Sequence, residues 1–146
     1  MAVLDVGCGS GILSLAAAAL SAPLCVGLDL CRRAVRVSRD NARRNGLETR
    51  VHLVQGSTEA VKGSFPLIMA NLPLPVQLAK AAELSRLAAP GGAMILSGFK
   101  DTQEEELLAL YQEMGWSRRD RATQDEWVIE LPPEGSFTWV AWRLVR

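Results

Sequence analysis

Residues 4–15 read Leu-Asp-Val-Gly-Cys-Gly-Ser-Gly-Ile-Leu-Ser-Leu, and this stretch constrains the fold more than any other in the 146-residue chain. An apolar run of strand length, residues 2–6, leads into glycines at alternate positions, Gly7, Gly9 and Gly11. An alanine- and leucine-rich helical pattern follows at once over residues 10–20. Glycines accept positive φ and let backbone N–H groups reach a ligand with no Cβ in the way. A strand, a glycine turn and a helix in that order mark a ligand-binding connection of a parallel α/β sheet.

The rest of the chain alternates accordingly. Apolar strand-length runs fall at residues 24–28, 51–54, 67–70 and 93–97. Between them, helical patterns cover residues 32–45, stopped by Gly46, and residues 76–87, closed by Pro90-Gly91-Gly92. A further helix over residues 103–114 carries Glu104, Glu105 and Glu106 in its first turn, where the helix dipole favours negative charge. From near Trp116 the pattern becomes β-rich. Residues 127–131 and 137–145, joined by Pro132-Pro133-Glu134-Gly135, predict an antiparallel pair. The expected architecture is α/β, a doubly wound, mostly parallel Rossmann-like sheet with a C-terminal antiparallel hairpin. It is expected to form a single domain over residues 1–146.

The turn selects among nucleotides. A dinucleotide fingerprint needs glycine at position 12, where this chain has Ile12, and the Gly-Lys-Ser/Thr ending of a Walker A loop is missing. Asp29 ends the second strand, 18 residues after Gly11. A carboxylate there can accept hydrogen bonds from both hydroxyls of a ribose. Asp5 adds negative charge just before the glycines. A ribose-bearing ligand with a positive centre and no pyrophosphate suits the pair, and S-adenosylmethionine has that chemistry. Asp29 can also cap the helix that follows, a role compatible with ribose binding.

Composition excludes several other classes. Formal net charge is zero, so no global field draws the chain to nucleic acid or membrane. Cys8, Cys25 and Cys31 lack CxxC spacing and His52 is the sole histidine, which supports neither a metal site nor a disulfide framework and suits a reduced, cytoplasmic protein. Residues 12–30 are apolar enough to mimic a membrane span, but Pro23, Gly27 and Asp29 divide them into a buried helix and a buried strand.

Asp5-Val6-Gly7-Cys8-Gly9-Ser10-Gly11 together with Asp29 resembles the glycine motif and ribose acid of class I S-adenosylmethionine-dependent methyltransferases. The likeness narrows at residues 38–46 (SRDNARRNG), 53–56 (LVQG), 70–72 (ANL), 90–98 (PGGAMILSG) and 125–127 (DEW). These segments are similar, in the same order, to a bacterial family, PrmA, that methylates amino groups of a large-subunit ribosomal protein. The resemblance implies a cofactor site at Asp5, Gly7, Gly9, Gly11, Asp29, Gly56, Ser57 and Asn71. Gly56 and Ser57 would lie by the adenine, and Asn71, at the mouth of the methyl-donor pocket, would be the catalytic residue. Many family members carry an acid at the position of Ser57, which can equally cap a short turn. The family's N-terminal substrate-binding domain, and a threonine- and histidine-containing stretch before the first strand, have no counterpart here, since Met1 already adjoins the strand. Asn71-Leu72-Pro73-Leu74 also lacks the aromatic that follows Asn-Pro-Pro in base and glutamine methyltransferases, which disfavours a planar target.

The implied reaction is N-methylation of a protein amine by an enzyme, with Asn71 orienting the incoming nitrogen. A ribosomal-RNA methyltransferase and a catalytically inactive cofactor-binding partner module are the alternatives. Arg32, Arg36, Arg39 and Arg43 recur as one helical stripe beside Arg33 and Arg44. The stripe reads either as a docking face for ribosomal RNA or as a solvated helix face. His52 reads as a sheet residue, and the tryptophans as packing, with Trp127 and Trp139 paired across strands.

Overall fold

The computed structural model describes residues 1–126 and 136–146. The elements are β1 (Ala2–Val6), α1 (Ile12–Ala19), β2 (Leu24–Asp29), α2 (Arg32–Arg44), β3 (Val51–Gln55), β4 (Phe65–Asn71), α3 (Leu74–Leu87), β5 (Ala88–Lys100), α4 (Glu104–Glu113), β6 (Ser117–Asp125) and β7 (Thr138–Val145). Among the described residues the strands form one sheet in the order β3-β2-β1-β4-β5-β7-β6. β1 through β5 run parallel, and β7 is antiparallel to both β5 and β6. The expected doubly wound α/β sheet with an antiparallel C-terminal hairpin is the fold of this chain.

Alternation along buried strands divides the core into two layers. Val3, Cys25, Val51 and Met69 pack with Ala18 of α1 and Ala42 of α2. Their neighbours Leu4, Leu28, Ile68 and Ala70 join Met94 and Leu96 against Leu84 of α3 and Leu107 and Tyr111 of α4. Successive side chains in a strand point to opposite faces, so a strand covered by helices on both sides must be apolar throughout. α2 contributes only Val35, Ser38 and Ala42 to the buried side, which leaves its arginines outward.

Three features depart from the sequence expectation. α3 begins at Leu74 rather than residue 76, with Pro73 at its N-cap and Pro75 in the first turn, where a missing N–H costs no helical bond. Pro90-Gly91-Gly92 lies inside β5 as an irregularity: Phe65 opposes Ala88, yet Leu67 already opposes Ala93. The third concerns the hairpin. Residues 127–131, and with them the Trp127–Trp139 pair, lie outside the described residues. The strand paired with β7 at the sheet edge is β6, Ser-Arg-Arg-Asp-Arg-Ala-Thr-Gln-Asp, exposed along its whole length. A fully solvated strand has no apolar alternation to detect, and its charges guard an open sheet edge against pairing with other chains.

Glu104, the first residue of α4, fastens that edge. Its carboxylate accepts hydrogen bonds from Arg118 Nη1 at 3.0 Å, Arg121 Nη2 at 2.6 Å and the Trp142 indole N–H at 2.9 Å. Arg121 foremost, then Trp142 and Arg118, hold this carboxyl below the ordinary glutamate range. Trp142 itself packs edge-on against Phe99, ring centres 4.6 Å apart.

Candidate functional site

β1 and β4 are neighbours, while the chain continues from one toward β2 and β3 and from the other toward β5. Their carboxyl ends therefore flank the point where strand order reverses, the place where open α/β sheets bind ligands. The glycine turn sits there. Gly7, Gly9 and Gly11 have φ of 70°, 55° and 83°. Two of the three are also required by close approach. A Cβ on Gly7 would lie 2.4 Å from Leu72 Cδ2, and one on Gly11 would lie 2.1 Å from Ser38 Oγ. Gly7 thus lets the turn close against the β4 end, and Gly11 lets α1 start against α2.

Asp29 organises the turn. Its Oδ2 accepts the Gly9 N–H at 2.9 Å, and its Oδ1 accepts the Cys31 N–H at 2.8 Å just ahead of α2. Asp29 does not cap α2, whose N-cap is Cys31 without a side-chain cap bond, but holds the turn leading into it. The ligand-site expectation is compatible with this geometry, because each oxygen retains a lone pair. Cys8 N–H donates to the Leu28 carbonyl at 2.9 Å, tying the turn to β2. Burial, then the charges of Asp5 and Asp29, pushes the Cys8 thiol up to about 12, so it stays protonated and unreactive.

Asp5 lies beneath the turn, 1 % exposed. Its Oδ2 accepts both the backbone N–H of Ser14 at 3.0 Å and the Ser14 hydroxyl at 2.6 Å, which anchors α1. Burial raises its pKa; the Ser14 hydrogen bonds oppose this and the nearby Asp29 charge adds to it.

Two cavities flank the end of β4. One of about 260 Å³ is lined by Gly7, Asp29, Gly56, Ser57, Leu72 and Lys80, among others. It brings Gly7, Asp29, Gly56 and Ser57 together. Gly9 reaches it through Asp29, whereas Gly11 and Asp5 stand behind it as packing and anchoring residues. The second cavity, about 600 Å³, has Asn71, Pro73, Ser97, Gly98, Gln124 and Trp139 in its wall. Asn71 faces the larger space and Leu72 the smaller, so the two residues form the partition between them. Among the described residues no titratable side chain lines the larger cavity.

Several residues here had no sequence signal of their own. Lys80 Nζ donates to Ser57 Oγ at 3.1 Å and pairs with Glu59, which also accepts from the Ser57 hydroxyl. Lys80, then Ser57, hold the Glu59 carboxyl down at about 2. Val76 and Lys80 both line the smaller cavity, and their four-residue spacing on α3 puts them on one face. Trp139 is flanked by Lys100, whose Nζ lies 3.5 Å from the ring centre, and its indole N–H donates to Glu126 at 2.6 Å. Among the described residues no three of histidine, cysteine, aspartate and glutamate gather as a metal site.

The family model described as Ribosomal protein L11 methyltransferase (PrmA) matches residues 1–131. The ribosomal protein L11 methyltransferase of Sorangium cellulosum is 43 % identical over 109 residues, covering 75 % of this chain and 34 % of that protein. The Syntrophotalea carbinolica protein of the same name is 38 % identical over 125 residues, covering 86 % and 41 %. The crystal structure of ribosomal protein L11 methylase from Lactobacillus delbrueckii subsp. bulgaricus superimposes with a TM-score of 0.85 at 25 % identity, covering 99 % of this chain and 69 % of that one. The chain spans between a third and a half of the length of the two sequence relatives.

Proposed function

The chain belongs to the ribosomal protein L11 methyltransferase family, and on that premise we propose that it binds S-adenosylmethionine and methylates an amino group of a large-subunit ribosomal protein. The observation that carries the reading is the Asp29 carboxylate, tied to the Gly9 amide and lining the same cavity as Gly7, Gly56 and Ser57. The residues present fit the cofactor. A carboxylate with free lone pairs suits ribose hydroxyls, and the apolar walls supplied by Leu30, Leu72 and Val76 suit an adenine face. Residues 1–146 then act as one cofactor-binding domain.

When bound, S-adenosylmethionine supplies an activated methyl group on a sulfonium. The chain's own residues position the acceptor. Asn71, on the partition, has a carboxamide oxygen able to accept an N–H of the incoming amine and aim its lone pair toward the smaller cavity. Alignment of this kind contributes roughly 7–11 kcal/mol in well-oriented reactions, which is consistent with a cavity wall that carries no base among the described residues. We assign Asp29, Gly7, Gly9, Gly56 and Ser57 to cofactor binding, Asp5 and Gly11 to support of the turn, and Asn71 to acceptor orientation.

A second partner has support from α2. Its arginines face outward with Asp40 the sole acid on the helix, and Arg43 pairs with it loosely at 3.9 Å. Such a face suits ribosomal RNA phosphates next to a ribosomal-protein substrate. A ribosomal substrate would support a cytoplasmic reaction; separately, among the described residues no helix is long and apolar enough to cross a membrane.

Calorimetry with S-adenosylmethionine, followed by labelled-methyl transfer to unmethylated ribosomal proteins, tests the reading. Binding and label in protein are expected. Folded protein that fails to bind the cofactor overturns it; label in RNA moves the assignment to the nucleic-acid alternative, and binding without transfer moves it to an inactive partner module.

A further inference from the structure

Gln77 is completely buried in α3, in a layer built mainly from apolar side chains. Its Nε2 donates to the Ala70 carbonyl at 3.1 Å and to the Ser97 carbonyl at 2.9 Å. Two carbonyl acceptors fix the amide orientation, since the flipped form would oppose oxygen to oxygen. Its Oε1 has no partner. A buried, half-satisfied carboxamide is a poor choice for packing alone.

The bonds acquire meaning at Asn71. The Ala70 carbonyl belongs to the peptide group preceding Asn71. The Leu72 N–H belongs to the peptide group following it, and donates to the same Ser97 carbonyl at 3.0 Å. Both peptide groups flanking Asn71 are therefore held through one side chain: Gln77 binds the first directly and fixes the acceptor of the second. Gly98 leaves the space this needs, because a Cβ there would lie 2.6 Å from both Asn71 Oδ1 and the Leu72 carbonyl oxygen.

We propose that Gln77 is a positioning residue that sets the direction of the Asn71 carboxamide at the partition between the two cavities. The inference rests on the acceptor-orienting role given to Asn71, but its structural half stands without it. Gln77 touches neither cavity wall and acts only through Asn71.

The test uses Gln77→Met, which keeps the volume and removes both donors, with Gln77→Leu as a second variant should the first fail to fold. Amide hydrogen exchange at Leu72 is expected to accelerate about tenfold or more, with exchange at Leu4 and Ile68 unchanged. In methyl transfer, kcat should fall about tenfold while cofactor Kd and acceptor KM stay within about twofold. In an Asn71→Ala background the same substitution should produce no further loss of kcat. Unchanged exchange at Leu72, or a loss in kcat fully additive with Asn71→Ala, overturns the proposal. If the unaltered protein transfers no methyl group, the functional reading fails and the exchange measurement alone decides whether Gln77 holds the bracket.

Discussion

The Asp29 carboxylate accepts the Gly9 N–H at 2.9 Å across twenty residues of chain, so this acid and the glycine turn are one unit. Neither can move without the other. The arrangement explains why a carboxylate is needed even before a ligand arrives: its second oxygen simultaneously receives the Cys31 N–H in the turn leading into α2.

Asp29→Ala should therefore weaken cofactor binding in two ways, by removing the ribose acceptor and by releasing the turn. A hydrogen bond to a charged group contributes about 1.5–3 kcal/mol, so a loss of roughly ten- to hundredfold in affinity is expected. Asp29→Asn can satisfy one of the two backbone amides but not both, and should fall between. Isothermal calorimetry on folded variants measures this, and an affinity for S-adenosylmethionine unaltered by Asp29→Ala would remove the residue from the site.

Gly11 concerns stability instead. An alanine there meets Ser38 Oγ at 2.1 Å and must hold a φ of 83°. Overpacking of this kind costs about 1–3 kcal/mol. Ser38→Ala removes the nearest atom, and the buried Ser38 hydroxyl has only the Cys8 thiol beside it as a weak partner, so that change alone should cost little. The double variant should recover part of the lost melting temperature, leaving the left-handed strain. Equal melting temperatures for Gly11→Ala with and without Ser38→Ala would contradict the packing account.

The contrast between these residues and Gln77 marks what a single sequence discloses. The glycine turn was legible because strand, turn and helix are contiguous, and Asp29 because strand length fixes where the next carboxyl end falls. The buried strands were legible because helices on both faces force continuous apolar runs. β6 was not, since an exposed edge strand bears no periodicity. Gln77 carries no local signature either; its partners lie seven and twenty residues away. Asp5 was recognisable as an acid near the turn, but its commitment to Ser14 depends on how α1 folds back over β1.

Asp5 yields a pH prediction. Burial raises its folded-state pKa above the ordinary carboxylate value. A raised acid favours the native state while protonated, so its contribution is fully present below the unfolded value of about 3.9 and is lost as pH rises through the folded value. The stability of the natural protein minus that of Asp5→Asn should consequently decline as pH climbs from about 4 toward neutrality. Urea unfolding of both proteins across that range gives the difference directly. A difference growing in favour of Asp5 with rising pH would show instead that the Ser14 hydrogen bonds outweigh burial.

The acceptor cavity makes the sharpest claim about chemistry. Among the described residues no ionisable side chain lines it. The neighbouring Glu126 carboxylate is engaged by the Trp139 indole N–H at 2.6 Å and by Lys100 at 3.5 Å; Trp139 foremost holds it below the ordinary range. A carboxyl so stabilised as the anion is a weak base. The attacking amine must nevertheless be neutral to offer its lone pair, and a lysine amine has a pKa of about 10.4. The proposed acceptor of its proton is solvent, since among the described residues no ionisable side chain lines the cavity. The value of kcat/KM for a lysine acceptor should rise about tenfold per pH unit between roughly pH 6 and 9, following the neutral fraction of the amine. Glu126→Gln should leave that slope unchanged. An α-amino acceptor, with a pKa near 7.7–8.0, should level off earlier on the same enzyme. A plateau common to both acceptors below neutrality would reveal a protein base at the cavity and exclude deprotonation by solvent.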